Sequence, residues 1–128
     1  MTGVQTCALP ISFAAARAVA ETIADPKERA GALGAVAGAL AQAGDTQAAL
    51  ATFAAARAVA ETIAGPFWRA RALREVAGAL VQAGRWDDAR AVGETIADPD
   101  KRAEALREVA GALVQARRWD DEIGRAHV

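Results

Sequence analysis

Side chains that could do chemistry are scarce through most of this chain. The one cysteine, Cys7, and the one histidine, His127, lie at opposite ends, and tyrosine and asparagine are absent. Nucleophile–base pairs and zinc sites depend on such residues, so we expect no enzyme, no metal and no cofactor in residues 13–121. Carboxylates are frequent, but Glu21, Glu61 and Glu94 are copies of one position beside a threonine. This recurrence indicates a solvated helix face rather than a catalytic acid in a special environment.

Glycine placement and net charge argue against two further classes of ligand. No glycine-rich phosphate loop is present, because the glycines stand inside predicted helices. There we expect them to allow close helix approach, although each costs about 1 kcal/mol relative to alanine. They are Gly34, Gly38, Gly78 and Gly111. The net charge of -1 gives no electrostatic basis for binding nucleic acid or an anionic membrane. The least charged stretch, residues 30–44, is too short to span a bilayer.

The elements that would position any site are repeated along the chain. Residues 69–99 read as a helix, a tight turn, a second helix and a proline stop. Residues 101–121 repeat the first half of this unit, and residues 28–44 are a looser copy. An apolar stripe with helical spacing recurs in the first helix of each copy. Its members are Leu33, Val36, Ala37 and Leu40, then Leu73, Val76, Ala77 and Leu80, then Leu106, Val109, Ala110 and Leu113. A repeat of 33 to 40 residues built from helix pairs predicts an all-α solenoid of stacked antiparallel pairs.

Caps and breaks predict the helix boundaries. Predicted helices cover residues 13–24, 27–43, 46–64, 67–83, 86–97 and 100–116, and one more begins at Trp119. Asp25 and Asp45 are the expected N-caps, and Gly44 and Gly84 the expected breaks. Pro26 and Pro66 are 40 residues apart, whereas Pro66 and Pro99 are 33 apart. The extra residues fall in the 46–64 helix. They add about two turns and 10 Å, so we expect its buried face to stay in phase.

The two ends of the chain are expected to lie outside the repeats. Residues 5–11 and 122–128 back-translate to one oligonucleotide read in opposite directions, and it resembles a common sequencing-library adapter. Ser12 and Glu122 fit codons in which the adapter meets a repeat codon for threonine or alanine. We therefore expect residues 1–12 and 122–128 to be adapter-derived and exclude them from fold reasoning. The expected repeat units are 13–44, 45–84, 85–117 and a truncated 118–121, an internal slice of a longer protein.

The repeated helix pairs in residues 13–121 resemble tetratricopeptide-type repeats. Ala77 and Ala89 occupy the family's small-residue slots, Trp86 the aromatic slot after the turn, and Ile96 a late packing slot. Trp86 and its copy Trp119 are therefore expected to be packing residues. Three features depart from the family. Leucine replaces the usual leading tryptophan, Pro99 comes a little early, and Gly93 stands in an aromatic slot. The resemblance implies a right-handed superhelix, and HEAT-like repeats are the alternative because 40 residues is close to their period.

The resemblance also implies where a partner binds, because the family's first helices line a concave groove for an extended peptide. The matching positions here are Arg71, Arg74, Gln82, Glu104, Arg107 and Gln115. Arginine can hold a carboxylate through two parallel hydrogen bonds, so this groove is predicted to prefer an acidic peptide. Ordinary helix-surface pairs, Arg71 with Glu75 and Glu104 with Arg107, are the alternative use of these charges.

Phe67 and Trp68 stand where the other repeats carry charged pairs. An aromatic pair that the repeat does not require is a candidate exposed anchor for a partner. The alternative is that both rings pack under the projecting end of the long helix.

The function expected from these observations is a non-catalytic protein–protein interaction scaffold. Thirteen arginines against two lysines reflect GC-rich codons and indicate a bacterial source. A regulatory arm of a signalling ATPase or kinase is the first alternative, and an RNA-binding repeat is a weaker one because there is no basic stripe. We see no signal peptide and expect a cytoplasmic protein. The uncapped ends of the stack predict self-association.

Overall fold

Helices account for almost all of the chain that can be described. The structure is a computed structural model, which describes residues 12–126, and side chains for residues 12–118. The helices are α1 (Phe13–Glu21), α2 (Pro26–Gln42), α3 (Thr46–Glu61), α4 (Pro66–Gln82), α5 (Trp86–Glu94) and α6 (Pro99–Ala126). Within residues 12–126 there is no strand, which confirms the all-α prediction.

The helices stack as neighbouring pairs along the chain. Helix α2 packs against α3, and α4 packs against α5. The first helices of the pairs also meet, since α4 contacts both α2 and α6. One continuous core of alanine and branched aliphatic side chains runs through all six helices. The alanines keep the helices close, and the few large side chains, such as Leu33 and Ile96, fill the space between pairs.

The starts of α2 and α6 follow from aspartate caps and prolines. The Asp25 carboxylate accepts a hydrogen bond from the Lys27 backbone N–H at 2.9 Å, and Pro26 is the first helical residue. Asp98 accepts from the Asp100 N–H at 2.8 Å in the same way. These side chains satisfy backbone donors that have no partner inside the helix.

The second helices of the pairs, α1, α3 and α5, end three residues earlier than predicted. Their last helical residues are Glu21, Glu61 and Glu94, and a threonine follows each. In all three copies the threonine hydroxyl donates to the carbonyl of a valine three residues back, at 2.6 Å. This local bond competes with continuation of the helix, which is why Thr-Ile-Ala forms the corner instead of another turn.

Two glycines close the turns inside the pairs, as predicted. Gly44 and Gly84 have φ angles of 89° and 76°, the left-handed region that glycine enters without strain. The residues after them, Asp45 and Arg85, donate their N–H groups back to the Leu40 and Leu80 carbonyls at 3.0 and 2.8 Å. This is a Schellman ending, which satisfies the final carbonyls of α2 and α4.

The prediction of a helix end at residue 116 and a new helix from Trp119 is wrong. Helix α6 runs without a break for 28 residues. Arg117 stands where Gly84 closes the previous pair. A left-handed conformation costs a residue with a side chain about 1–2 kcal/mol, so the chain continues in the helix. The side chain of Trp119, and with it the packing predicted for it, lies outside the described part.

The long helix confirms the predicted insertion. Helix α3 has 16 residues, against nine in α5. Ala49 and Ala56, which lie seven residues apart, are both buried. The added segment therefore lengthens the helix while its buried face stays in phase, because seven residues are close to two turns.

Candidate interaction surface

An arginine holds the corner before each first helix. Arg29, Arg69 and Arg102 occupy equivalent positions in the three repeats. Each guanidinium donates to an isoleucine carbonyl six residues earlier, at 2.9, 2.8 and 3.0 Å. These carbonyls lie in the corner, two residues beyond the last residue of the preceding helix, so each bond ties the corner to the first turn of the next helix. Sequence reasoning missed this contact, although the recurrence of Arg after the prolines was the available signal.

The corners set α2, α4 and α6 side by side, and we call the surface that these helices share the first-helix face. A groove of about 240 Å³ lies between α2 and α4, lined by Gly31, Gly34, Gly38, Glu75 and Gln82 among others. A second groove of about 440 Å³ lies between α4 and α6. The two grooves are adjacent, because Gln82 lines both. Their walls are mostly alanine and glycine, which leaves room for a chain laid across the helices.

Arg74 is held within the protein by carboxylates of the next repeat. Its Nε and Nη2 donate to the two oxygens of Glu108 at 2.9 and 2.7 Å, and its Nη1 donates to Glu104 at 3.1 Å. The hydrogen bond from Arg74 lowers the pKa of Glu108 below its usual value, and the same bond raises the pKa of Arg74. This bidentate geometry joins α4 to α6, and it means that a peptide carboxylate at Arg74 would compete with two internal ones.

The other predicted groove residues lie in different environments. Arg71 forms the predicted pair with Glu75 at 3.5 Å, with both side chains well exposed. Glu104 pairs with Arg74 and with Lys101, not with Arg107 as the alternative had it. Arg107 is exposed on α6. Gln82 and Gln115 are exposed and line the groove between α4 and α6.

The predicted role of the helical glycines is wrong. A Cβ built on Gly34, Gly38, Gly78 or Gly111 would have no neighbour within 4 Å. These glycines therefore do not mediate close helix contact. The close approach occurs at Gly93, where a Cβ would lie 3.1 Å from a methyl of Leu106. This contact explains why an aromatic residue is absent from that slot.

Phe67 and Trp68 form an exposed pair at the start of α4. Their side chains are 55% and 42% exposed, and the rings meet edge to face at 5.1 Å. Lys27 of the previous repeat lies 4.3 Å from the Trp68 ring, and Lys101 of the next lies 5.5 Å from the Phe67 ring. Each ring therefore has a lysine of a neighbouring repeat over it, Lys27 at Trp68 and Lys101 at Phe67. Trp86, predicted to be a packing residue, is half-buried.

The described residues contain neither a helix suited to crossing a membrane nor a cluster of potential metal ligands. None of the described helices combines the length and the apolar character needed to cross a membrane. The described side chains bring no three potential metal ligands of the His, Cys, Asp or Glu type together.

Comparison with known proteins adds one finding. A model of the tetratricopeptide repeat family matches residues 28–98, more than half of the chain, from the first turn of α2 to the corner after α5. No curated protein and no solved structure matches the chain significantly.

Proposed function

Because the chain belongs to the tetratricopeptide repeat family, we propose that it is a non-catalytic scaffold that binds an extended peptide of a partner protein along the first-helix face. The observation that carries the proposal is the pair of adjacent grooves across α2, α4 and α6, with Gln82 between them. Their alanine and glycine walls supply shape, and they present few groups that could perform chemistry.

The hydrogen-bonding part of this site is a row of glutamines. Gln42, Gln82 and Gln115 occupy equivalent positions on the three first helices, and all are exposed. A glutamine amide both donates and accepts, so each can pair with the backbone of an extended peptide. We propose that these amides fix the path of the peptide across the helices.

Selectivity for acidic segments is assigned to Arg107 and Arg71, because Arg74 is already held by two glutamates. Phe67 and Trp68 extend the surface at the start of α4 and would anchor an apolar side chain of the partner. Aromatic side chains are enriched among the residues that dominate binding energy at interfaces.

The test begins with peptides selected on the full chain from a displayed library of random ten-residue peptides. We expect Gln82→Ala to weaken binding of the selected peptides at least fivefold, and Arg107→Glu to weaken the acidic ones preferentially. Gln47→Ala is the matched control, since Gln47 is an exposed glutamine on α3, away from the grooves. If Gln82→Ala and Gln47→Ala bind equally well, the peptide does not lie on the first-helix face.

Self-association through the ends of the stack is the other part of the proposal. Leu113 and Val114 of α6, and Phe13 and Val19 of α1, are exposed apolar side chains at opposite ends of the structure. Apolar faces of this kind at both ends favour association with another molecule.

A further inference from the structure

The two ends of the stack expose residues whose interior equivalents are buried. Leu113 on α6 is 43% exposed, whereas Leu80, its equivalent on α4, is 3% exposed. Val19 on α1 is 66% exposed, whereas Val92, its equivalent on α5, is 3% exposed. Leu113 and Val19 therefore match buried residues in type and position, but within residues 12–126 no neighbouring helix covers them as it covers Leu80 and Val92.

The helix that is needed at one end is supplied by the sequence of the other end. Helix α1 and helix α5 each have nine residues and begin with an aromatic residue. Both contain Ala-Arg-Ala-Val, and both lead through Glu-Thr-Ile-Ala-Asp to a proline. Helix α5 covers α4, and α6 is the sequence copy of α4. A second copy of the chain thus carries, in its α1, the equivalent of a helix that the described residues do not place on α6.

The contact to be reproduced is visible inside the chain. Leu80 of α4 and Val92 of α5 line one groove between α3 and α5, together with Phe53 of α3. Val92 lies on the side of α5 that faces this groove, while its neighbour Gly93 faces Leu106 of α6. Transferring this arrangement to the ends places Val19 of one copy and Leu113 of another on one shared groove.

We propose that the chain associates head to tail, with α1 of one copy docked on α6 of the next in the position that α5 takes on α4. This inference deepens the self-association part of the proposed function and is independent of peptide binding. The two docking faces differ, so the contact is heterologous, and each copy keeps a free face for the next one. The product is a linear series of copies that grows with concentration.

One interaction of the interior contact is missing from the contact between copies. Inside the chain, Arg74 of α4 holds Glu104 and Glu108 of α6. In the contact between copies, Arg107 takes the place of Arg74, and Gly31 and Ala35 take the places of the two glutamates. The interface is therefore apolar, and its strength should depend little on salt.

The first experiment measures sedimentation velocity of the full chain over a range of concentrations. We expect a weight-average sedimentation coefficient that rises with concentration. Val19→Glu and Leu113→Glu should each weaken association at least tenfold, because each places a charge in one apolar face. An equimolar mixture of the two variants should form a one-to-one dimer, since each retains the face that the other has lost.

Phe67→Glu is the matched control, because it charges an equally exposed apolar residue on another surface. It should leave association unchanged, and circular dichroism should show that all variants keep their helices. A chain that stays monomeric at every concentration would overturn the proposal. So would a mixture that stays monomeric, which points to a symmetric contact, or a loss of association in Phe67→Glu alone.

A gain-of-function variant tests the register of the contact. Gly31→Glu with Ala35→Glu rebuilds the two missing carboxylates opposite Arg107, and a Cβ at Gly31 meets nothing within 4 Å. We expect association to tighten about tenfold at low salt and to lose this gain at 1 M salt. Adding Arg107→Glu should remove the gain. A gain that survives Arg107→Glu would show that the copies meet in another register.

Discussion

At the scale of single residues, the repeated arginine at each corner is the most informative contact. Arg69 donates to the Ile63 carbonyl at 2.8 Å, and the same bond recurs at Arg29 and Arg102. The Ile63 carbonyl lies in the corner, two residues beyond the end of α3, so the guanidinium satisfies a backbone acceptor that no helical hydrogen bond uses. The corner therefore holds the end of one helix to the first turns of the next.

We predict that Arg69→Ala lowers the free energy of unfolding by about 1.5–3 kcal/mol, since a hydrogen bond to a charged group is worth about this much. Arg69→Lys should recover only part of the loss, because lysine lacks the planar fork of the guanidinium. Chemical denaturation measures both. Arg90→Ala is the control and should cost less than about 0.5 kcal/mol, because its ion pair with Glu94 is long and exposed. Equal losses at Arg69 and Arg90 would contradict the role of the corner.

The helical glycines give a second prediction at this scale. Gly78→Ala should raise the free energy of unfolding by about 1 kcal/mol, because the new methyl meets open space and alanine favours the helix. Gly93→Ala should raise the free energy of unfolding by less, since Leu106 must shift to make room for the methyl. Thermal melts of the two variants provide the comparison. An equal gain at both positions would mean that α5 and α6 do not approach closely at Gly93.

At the scale of elements, a single residue decides whether a first helix turns back or continues. Gly84 ends α4 with a φ of 76°, and Arg117 occupies the equivalent place in α6, which runs on to Ala126. The surrounding residues are nearly the same in both copies. The difference therefore lies in the cost of the left-handed conformation, which glycine avoids and arginine does not.

We predict that Arg117→Gly ends α6 at residue 116 and allows the next residue to donate to the Leu113 carbonyl, as Arg85 does to Leu80. The helical signal in far-ultraviolet circular dichroism should fall by several residues. Arg118→Gly is the control, because it carries the same glycine cost but lacks the register of the Schellman ending. If the two variants lose equal helicity, position 117 has no special role.

At the scale of the whole molecule, neighbouring repeats are joined mainly by apolar packing, and a network of ion pairs joins α4 to α6. Arg74 links α4 to α6 through Glu104 and Glu108. The equivalent junction between α2 and α4 has Gly34 in place of this arginine. The contact between α4 and α6 therefore includes ion pairs that depend on pH, whereas the contact between α2 and α4 has no arginine at this position.

The sign of that dependence follows from the pKa of Glu108, which Arg74 lowers in the folded protein. Below the usual pKa of a glutamate, about 4.3, the unfolded chain takes up the proton before the folded one does. The stabilising contribution is therefore complete above this pH and is lost as the pH falls through the folded value. We predict that the melting temperature falls more steeply between pH 5 and 3 in the wild type than in Glu108→Gln. Arg74→Gln should behave like Glu108→Gln, and parallel curves for all three proteins would contradict the prediction.

The sequence alone determined the family, the pairing of the helices and their bounds, except for the ends of α1, α3, α5 and α6. The spacing of Leu73, Val76, Ala77 and Leu80 encodes a buried stripe, and the structure buries all four. The proline and glycine breaks encode the corners. These features are local or periodic, so residue type and spacing are enough to read them. The seven-residue insertion in α3 could be placed in phase for the same reason.

Only the tertiary structure decided which charges and glycines take part in contacts between helices. Arg74 is predicted from its position to line the partner groove, and the structure shows that its guanidinium also binds Glu104 and Glu108. Gly34 and Gly78 were predicted to mediate close packing, but that role belongs to Gly93. Such contacts join residues 12 to 34 positions apart in the sequence. They depend on differences of a few tenths of an ångström in the spacing between neighbouring helices. A helical period specifies the face on which a residue lies, but it does not specify which side chain of the next helix it meets.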